Sequence, residues 1–475
     1  MIRKLFPTPE RDEILNGNVF KTMVKIGGPA VISSILFTVY NLVDVAWIGR
    51  LPKDEVPFAM AGMGISWPIF WLFVAFIGGF AGATVGALVA QNIGAGRPKE
   101  ATFALNQLLG FAAGAGLLVG VAGYFIAPAF ISAAYSTPEI VTEASNYIRI
   151  VFLGMPLMLL PNLLFFAYSS TGDTVTPLLV TTLGVGTNII LDPFFILGWA
   201  GLPQMGVRGA AYATLISQGV SVAVFLFLLV RSHGPVRLDR TALLPRLEWM
   251  GKALRIGLPA GAGQSLVAVG FVILTKIIDG LPDPATAHSG YNLANRIFGL
   301  LFIATNGLGI GLSTMIGQAL GANRLERAKE VMKKGVTALF IVLVVEAAAV
   351  YLFRFQLISM FAPEQEEIIR EAARFIELFA AGMPFLGAFF AAEAVFRGSG
   401  HNLLPMFIGI GRVWALRLPL AYVFAFVVGL QADGVWLGMS LSNVISGIVS
   451  IFALTSRKWQ RARVETADAV TETAS

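Results

Sequence analysis

VISSILFTVYNLVDVAWI, residues 31–48, reads as a membrane-spanning helix at every position but one. The exception is Asp44. A carboxylate at depth in such a segment costs about 2.5–3.5 kcal/mol on insertion scales, so it needs a compensating partner or a task. A second acid, Asp192, lies in TNIILDPFFI at 187–196. The expectation is that these two carboxylates form one cation site.

The surrounding composition sets the class. Of 475 residues, 56% are hydrophobic and 13% charged, and the mean hydropathy of +0.75 lies far outside the soluble range. The chain is expected to be an all-α polytopic membrane protein whose permanent surroundings are the lipid bilayer. Arg3, Lys4, Glu10, Arg11, Asp12 and Glu13 make the start too polar for a signal-peptide core, so the first span is expected to begin insertion itself. There is no cysteine, which removes disulfides, thiolate metal sites and thiol nucleophiles. The net charge of +6 comes from basic residues at the ends of apolar runs rather than from one patch, which argues against nucleic acid.

Runs long enough to cross a bilayer lie near 23–49, 59–86, 102–130, 145–168, 175–198, 208–230, 253–279, 290–318, 331–356, 371–396, 403–429 and 434–455, twelve in all. With the N-terminus cytoplasmic, that side collects 23 Lys and Arg residues against six opposite. Both termini are therefore expected in the cytoplasm, and the chain in the cell membrane. An internal repeat runs through these spans. KIGGPA at 25–30 returns as RIGLPA at 255–260, QNIGAGR at 91–97 as QALGANR at 318–324, and GMP at 154–156 as GMP at 382–384. TGDTVTP at 171–177 answers to SGHNLLP at 399–405, and GVRGAAYATLIS at 206–217 to GVWLGMSLSNVI at 434–445. Six spans per repeat is an even number, so both halves run the same way, as in parallel-repeat transporters with a path between the halves. The expected division is an N-terminal lobe over 1–231, a cytoplasmic linker over 232–251, a C-terminal lobe over 252–456 and a disordered tail over 457–475.

The polar groups inside spans are few. Asn188 precedes Asp192 by four residues, which puts amide and carboxylate on one helix face, and Pro193 frees the carbonyl of Ile189. Thr214 comes from the sixth span. Tyr40 and Asn41 lie one turn and three residues before Asp44 as its expected hydrogen-bonding neighbours, and Pro29 supplies a bending point in the first span. Oxygen ligands of this kind suit Na+ or a proton, not a soft metal. The acids vanish from the second half, where Leu274 and Leu420 stand at the matching positions. That half carries Gln264, Glu346 and Glu393 as candidates for a second cavity, together with Lys276, Arg296, Arg412 and Arg417. His233, His288 and His401 lie in linkers or at span ends, which argues against a histidine relay. No GxxxxGK[ST], HExxH or GxSxG sequence is present, so neither ATP hydrolysis nor other enzymatic chemistry is expected, and no cofactor is called for beyond a coupling ion.

YNLVDVAWIG at 40–49, STGDTVTP at 170–177, NIILDPFFI at 188–196 and GVRGAAYATLIS at 206–217 together resemble the multidrug and toxic compound extrusion (MATE) transporters, nearest to their prokaryotic branch with archaeal and DNA-damage-inducible protein F-like members. The resemblance covers nearly the whole chain. It implies a V-shaped, two-lobed antiporter of twelve helices, acting as a monomer, that exports small amphipathic or cationic compounds as H+ or Na+ enters. It also implies that Asp44, Asn188, Asp192 and Thr214 are the cation site, that Pro29 is the bend of the first helix, and that Asn162 supports the site from the fourth span. Phe165 stands where the family pattern has a further asparagine, so a smaller polar network is expected. Coupling through second-lobe carboxylates, as in another branch, is not expected from the position of Glu393. The alternative within the same superfamily is a flippase for lipid-linked sugars, against which the acidic first-half site and the span count argue.

Overall fold

The computed structural model describes residues 6–53, 56–134, 137–231, 234–360 and 365–463. Among them the regular structure is helical throughout. We number the spans α1 (Val19–Ile48), α2 (Val56–Gly94), α3 (Pro98–Ala134), α4a (Pro138–Leu153) with α4b (Met155–Ser170), α5 (Val175–Leu197), α6 (Val207–Arg231), α7 (Leu247–Asp279), α8 (Pro284–Gly321), α9 (Leu325–Leu352), α10a (Glu366–Ala380) with α10b (Met383–Ser399), α11 (Leu403–Val427) and α12 (Gln431–Thr455). Ten of these helices are long and apolar enough to cross a membrane alone, and the count reaches 12 with each bent pair taken as one span.

The fourth and tenth spans, expected as single runs near 145–168 and 371–396, are bent pairs of helices, by 52° at Gly154 and 59° at Gly382. Both breaks fall on the repeated GMP. Glycine ends one helix, and the proline two residues later starts the next, where its missing N–H costs nothing. Close packing also favours the first glycine, against a side chain, and demands the second, against a backbone carbonyl. A Cβ on Gly154 would lie 1.9 Å from Leu215 of α6, and one on Gly382 would lie 2.6 Å from the Ser440 carbonyl of α12. The sixth span of each half is thus wedged into the elbow of its fourth. α1, by contrast, runs unbroken through Pro29, and α5 runs unbroken through Pro193 to a left-handed Gly198.

The two halves meet through α1 against α8 and α2 against α7. A Cβ on Gly27 of α1 would sit 2.8 Å from the Gly307 carbonyl of α8, and one on Gly79 of α2 would sit 2.7 Å from the Ala260 carbonyl of α7. The inner ends of α2 and α8 cross closer still. A Cβ on Gly94 would come within 2.1 Å of the Gln318 carbonyl, and one on Gly321 within 1.9 Å of the Gln91 carbonyl. At this crossing Gln91 Nε2 donates to the Gly398 carbonyl at 3.0 Å and Gln318 Nε2 to the Ser170 carbonyl at 2.9 Å. The repeat that relates Gln91 to Gln318 also relates Ser170 to Gly398, so the two hydrogen bonds are one contact made twice, each from one half to the other.

The polar segments gather at this same end. Arg11, on the short helix Arg11–Asn16, donates from Nε to the Gly94 carbonyl at 3.0 Å. Arg327 Nη2 reaches the Gly17 carbonyl at 2.6 Å. The linker between halves is strapped to α3: buried Gln107 donates to the Ala242 and Leu244 carbonyls at 2.7 and 2.9 Å and accepts from Arg246 N at 2.7 Å. In that linker the Thr241 hydroxyl and backbone N–H hold the Asp239 carboxyl below its ordinary pKa. The tail expected to be disordered over 457–475 is ordered where it begins. Residues Arg457–Gln460 form a 3-10 turn that buries Trp459 completely beside α8 and α10b, because an indole with its N–H bonded to the Leu454 carbonyl is worth burying. Residues 464–475 lie outside the described residues.

The crossing of α2 and α8 leaves no room for side chains, so Gly321→Val should force it apart. Because the chain has no cysteine, the buried Ser313 replaced by cysteine gives a unique label beneath this crossing. Its reaction with a membrane-permeant maleimide should speed up about tenfold in Gly321→Val, equivalent to ~1.4 kcal/mol in the balance of closed and open forms. Equal rates would contradict the packing argument.

Candidate functional site

Asp44 stands one turn from the end of α1, Asn188 and Asp192 lie one turn apart on α5, and Thr214 lies on α6. α1 packs against α5, and α5 against α6. The four residues therefore converge between three helices of the first half, as their positions in the sequence implied. All four are buried, with Asp44 5% exposed and Asn188 and Asp192 fully enclosed.

The hydrogen bonds show how the site is held. Asn188 Nδ2 donates to Asp192 Oδ1 at 3.2 Å, which turns the amide oxygen away from the carboxylate it supports. The Tyr40 hydroxyl bonds the Thr214 hydroxyl at 2.7 Å, tying α1 to α6 directly behind Asp44. The Asp44 carboxyl lies within hydrogen-bonding and electrostatic reach of both Asp192 and Asn188. Three buried oxygens, Asp44 Oδ1, Asn188 Oδ1 and Asp192 Oδ2, have no donor from the protein. Each carries the cost of an unsatisfied buried acceptor, and the two carboxylates add mutual repulsion at low dielectric. A hard cation, or a proton on one carboxyl, answers both costs, and an all-oxygen ligand set fits either. Among the described residues no three or more His, Cys, Asp or Glu side chains gather in one group.

Two expected participants bond back to their own helices. Asn41 is directed to its own helix, its Nδ2 donating to the Phe37 carbonyl at 2.7 Å. Asn162 is exposed and likewise bonds back to the Met158 carbonyl at 3.1 Å. In both, a short amide satisfies itself on the carbonyl four residues earlier instead of crossing to another helix. Tyr147 of α4a was not anticipated. It is buried within electrostatic reach of Asp44 and Tyr40, and nothing in the local sequence PEIVTEASNYIRIVFL marks it as more than a core aromatic.

In the second half, Gln264 and Glu393 do come together: Gln264 Nε2 donates to Glu393 Oε1 at 2.8 Å, and Arg397 Nη2 donates to the same oxygen at 2.7 Å. They line a cavity of about 50 Å³ between α2, α7, α10b and α11. Glu346, expected to face a central cavity, does not line it. Its Oε2 is instead buried without a partner on α9.

Comparison with known proteins agrees with this architecture. The family profile MatE matches residues 29–194 and 259–423, one match in each half. A protein of Bacillus subtilis described as "Probable multidrug resistance protein YoeA" is 29% identical over 458 residues, covering 94% of this chain and 96% of its own length. "Probable multidrug resistance protein NorM" of Thermotoga maritima is 27% identical over 459 residues, covering 95% and 96%. "FAD transporter" of Shewanella oneidensis is 24% identical over 464 residues, covering 97% and 99%. Among solved structures, "Outward-facing conformation of a multidrug resistance MATE family transporter of the MOP superfamily" superposes with a TM-score of 0.86 at 23% identity over 95% of this chain and 99% of that one. With its two matched halves, twelve-span architecture and paired intramembrane acids, the chain belongs to the MatE family of multi-pass membrane transporters.

Proposed function

We propose that this transporter exports small amphipathic or cationic compounds in exchange for H+ or Na+, with the ion taken by Asp44 and Asp192. The observation that carries this reading is the set of three donor-less oxygens shared by α1 and α5. The names of the relatives point to drug resistance and FAD transport, and none of those reported is a flippase for lipid-linked sugars. The concentration of Lys and Arg at the end of the bundle that holds the linker and the α2–α8 crossing supports placing that end in the cytoplasm. In this reading the lobes span 1–231 and 252–456, joined by the linker, and one chain acting as a monomer supplies both.

Coupling follows from the course of α1. Its outer part carries Asp44, and its inner part, with Met23 and Gly27, packs on Gly311 and Gly307 of α8. Neutralising the acid pair removes the repulsion between α1 and α5 and lets α1 resettle. Pro29, lacking an N–H for the Lys25 carbonyl, is where the helix deforms most cheaply. Because Pro29 stands beside the cross-half contact, movement there biases the Gln91 and Gln318 pair that holds the cytoplasmic end closed. Uptake of substrate from the cytoplasm then requires that pair to open, and release of the ion accompanies it.

In proteoliposomes, ethidium efflux driven by a sodium or a pH gradient should fall to the level of protein-free vesicles in both Asp44→Asn and Asp192→Asn. Normal pumping by both variants under either gradient would refute the assignment. The Tyr40 to Thr214 link should contribute about 1 kcal/mol to thermal stability. Tyr40→Phe and Thr214→Val combined should then lose no more than the larger single effect, and additive losses would show that the two hydroxyls act separately.

A further inference from the structure

α11 departs from the α-helical pattern at Gly411–Arg417 and Val423–Val427, where its turns close i→i+5. Residues five apart on a regular α-helix lie roughly 140° apart around the axis, but the wider turn brings Arg412 and Arg417 to one face. Both guanidiniums are buried, 6% and 2% exposed. They share one neutral acceptor, Asn443 Oδ1 of α12, at 3.2 Å from Arg412 Nη1 and 2.6 Å from Arg417 Nη2. Arg417 Nε also donates to Ser442 Oγ at 3.2 Å. The remaining stabilisation comes from ring faces, with Arg412 4.9 Å above Phe389 and Arg417 5.2 Å above Phe271. Arg412 Nε has no acceptor.

The charge balance does not close. Glu393 is the carboxylate acting on Arg412, but its Oε1 is already occupied by Gln264 and Arg397. Two guanidiniums, Arg397 and Arg412, thus act on one carboxylate at membrane depth, with the buried Arg417 adding a further positive charge beside Arg412, where buried charge without a counter-charge is costly. Arg412, Arg397 and Glu393 all line the cavity of about 50 Å³, enough for a head group rather than a whole amphiphile. Its other walls include the apolar Val267, Phe390 and Met406.

We propose that this cavity is an anion-binding subsite of the transport path, taking the carboxylate or sulfonate of an amphipathic substrate directly on Arg412. Arg417 and Asn443 are positioning residues that fix the Arg412 guanidinium. The subsite rests on the transport reading above and widens it: the substrates include anions and zwitterions, and the two lobes carry opposite polarity, a cation site in the first and an anion site in the second.

The test is equilibrium binding of fluorescein, an amphipathic anion, and of ethidium, a cation, to the purified full-length chain by fluorescence anisotropy. Arg412→Gln should weaken fluorescein binding about tenfold, while Arg412→Lys, which keeps the charge but not the fork of donors, should stay within about threefold of the parent. Ethidium binding should not weaken in either. Glu393→Gln, which removes the competing carboxylate, should tighten fluorescein binding, and it carries the test by itself if Arg412→Gln does not fold. A parent chain that binds no fluorescein, or equal fluorescein affinity in the parent, Arg412→Gln and Glu393→Gln, would overturn the proposal. Either result leaves gradient-driven ethidium efflux as found, whereas failure of the exchange reading would abolish the gradient dependence and leave fluorescein binding measurable.

Discussion

A charge carried into the hydrocarbon layer has to be answered inside the protein, and the arrangement of this chain turns on two acids that are not. Asp44 and Asp192 come from different helices, approach each other in the first half, and have an amide and a hydroxyl pair around them but, among the described residues, no basic side chain hydrogen-bonded to them. The permanent cost is accepted because it becomes small whenever a positive ion is present. That conditional stability is what a transporter can couple to a gradient.

The same chain solves the opposite problem in its second half. There two arginines are buried against an amide oxygen and two aromatic faces, and the nearest carboxylate is already engaged. The duplicated scaffold thus keeps its backbone geometry while the charges inside diverge. The shared geometry is visible in glycines that tolerate no Cβ: Gly94 and Gly321 at the α2–α8 crossing, and Gly154 and Gly382 at the elbows of the fourth and tenth spans. Backbone contact at the α2–α8 crossing lets two bundles of related sequence meet about a pseudo-two-fold axis, and Gln91 and Gln318 each donate across it to a carbonyl of the other half.

Much of this was legible in the sequence. Span number follows from hydropathy, and the repeat from motifs at matching intervals. Asn188 and Asp192 share a face because four residues make about one helical turn. Other features depended on information that spacing does not carry. Asn41 lies as near Asp44 in sequence as Tyr40 does, yet its amide turns back to its own helix and the Tyr40 hydroxyl crosses to α6, because only the longer side chain reaches a partner there. The repeated GMP was evident as a motif, but its meaning as a break in the span required the packing of α6 and α12. Arg412 and Arg417 are not on one face of any regular helix, so their convergence on Asn443 depended on the wide turns of α11. Trp459 shows the same limit at the C-terminal end, where one buried indole orders a segment that reads as polar tail.

In the proposed exchange, Asp44 and Asp192 share a single positive ion whose departure accompanies substrate uptake. The most direct measurement counts the ions released as ethidium binds to the purified chain. Protons are obtained from calorimetry in buffers of different ionisation heat, and sodium from displacement of bound radioactive Na+. One ion released by the parent chain, and none by Asp44→Asn or by Asp192→Asn, is the predicted result. No release from the parent, or an undiminished release from both variants, would contradict it.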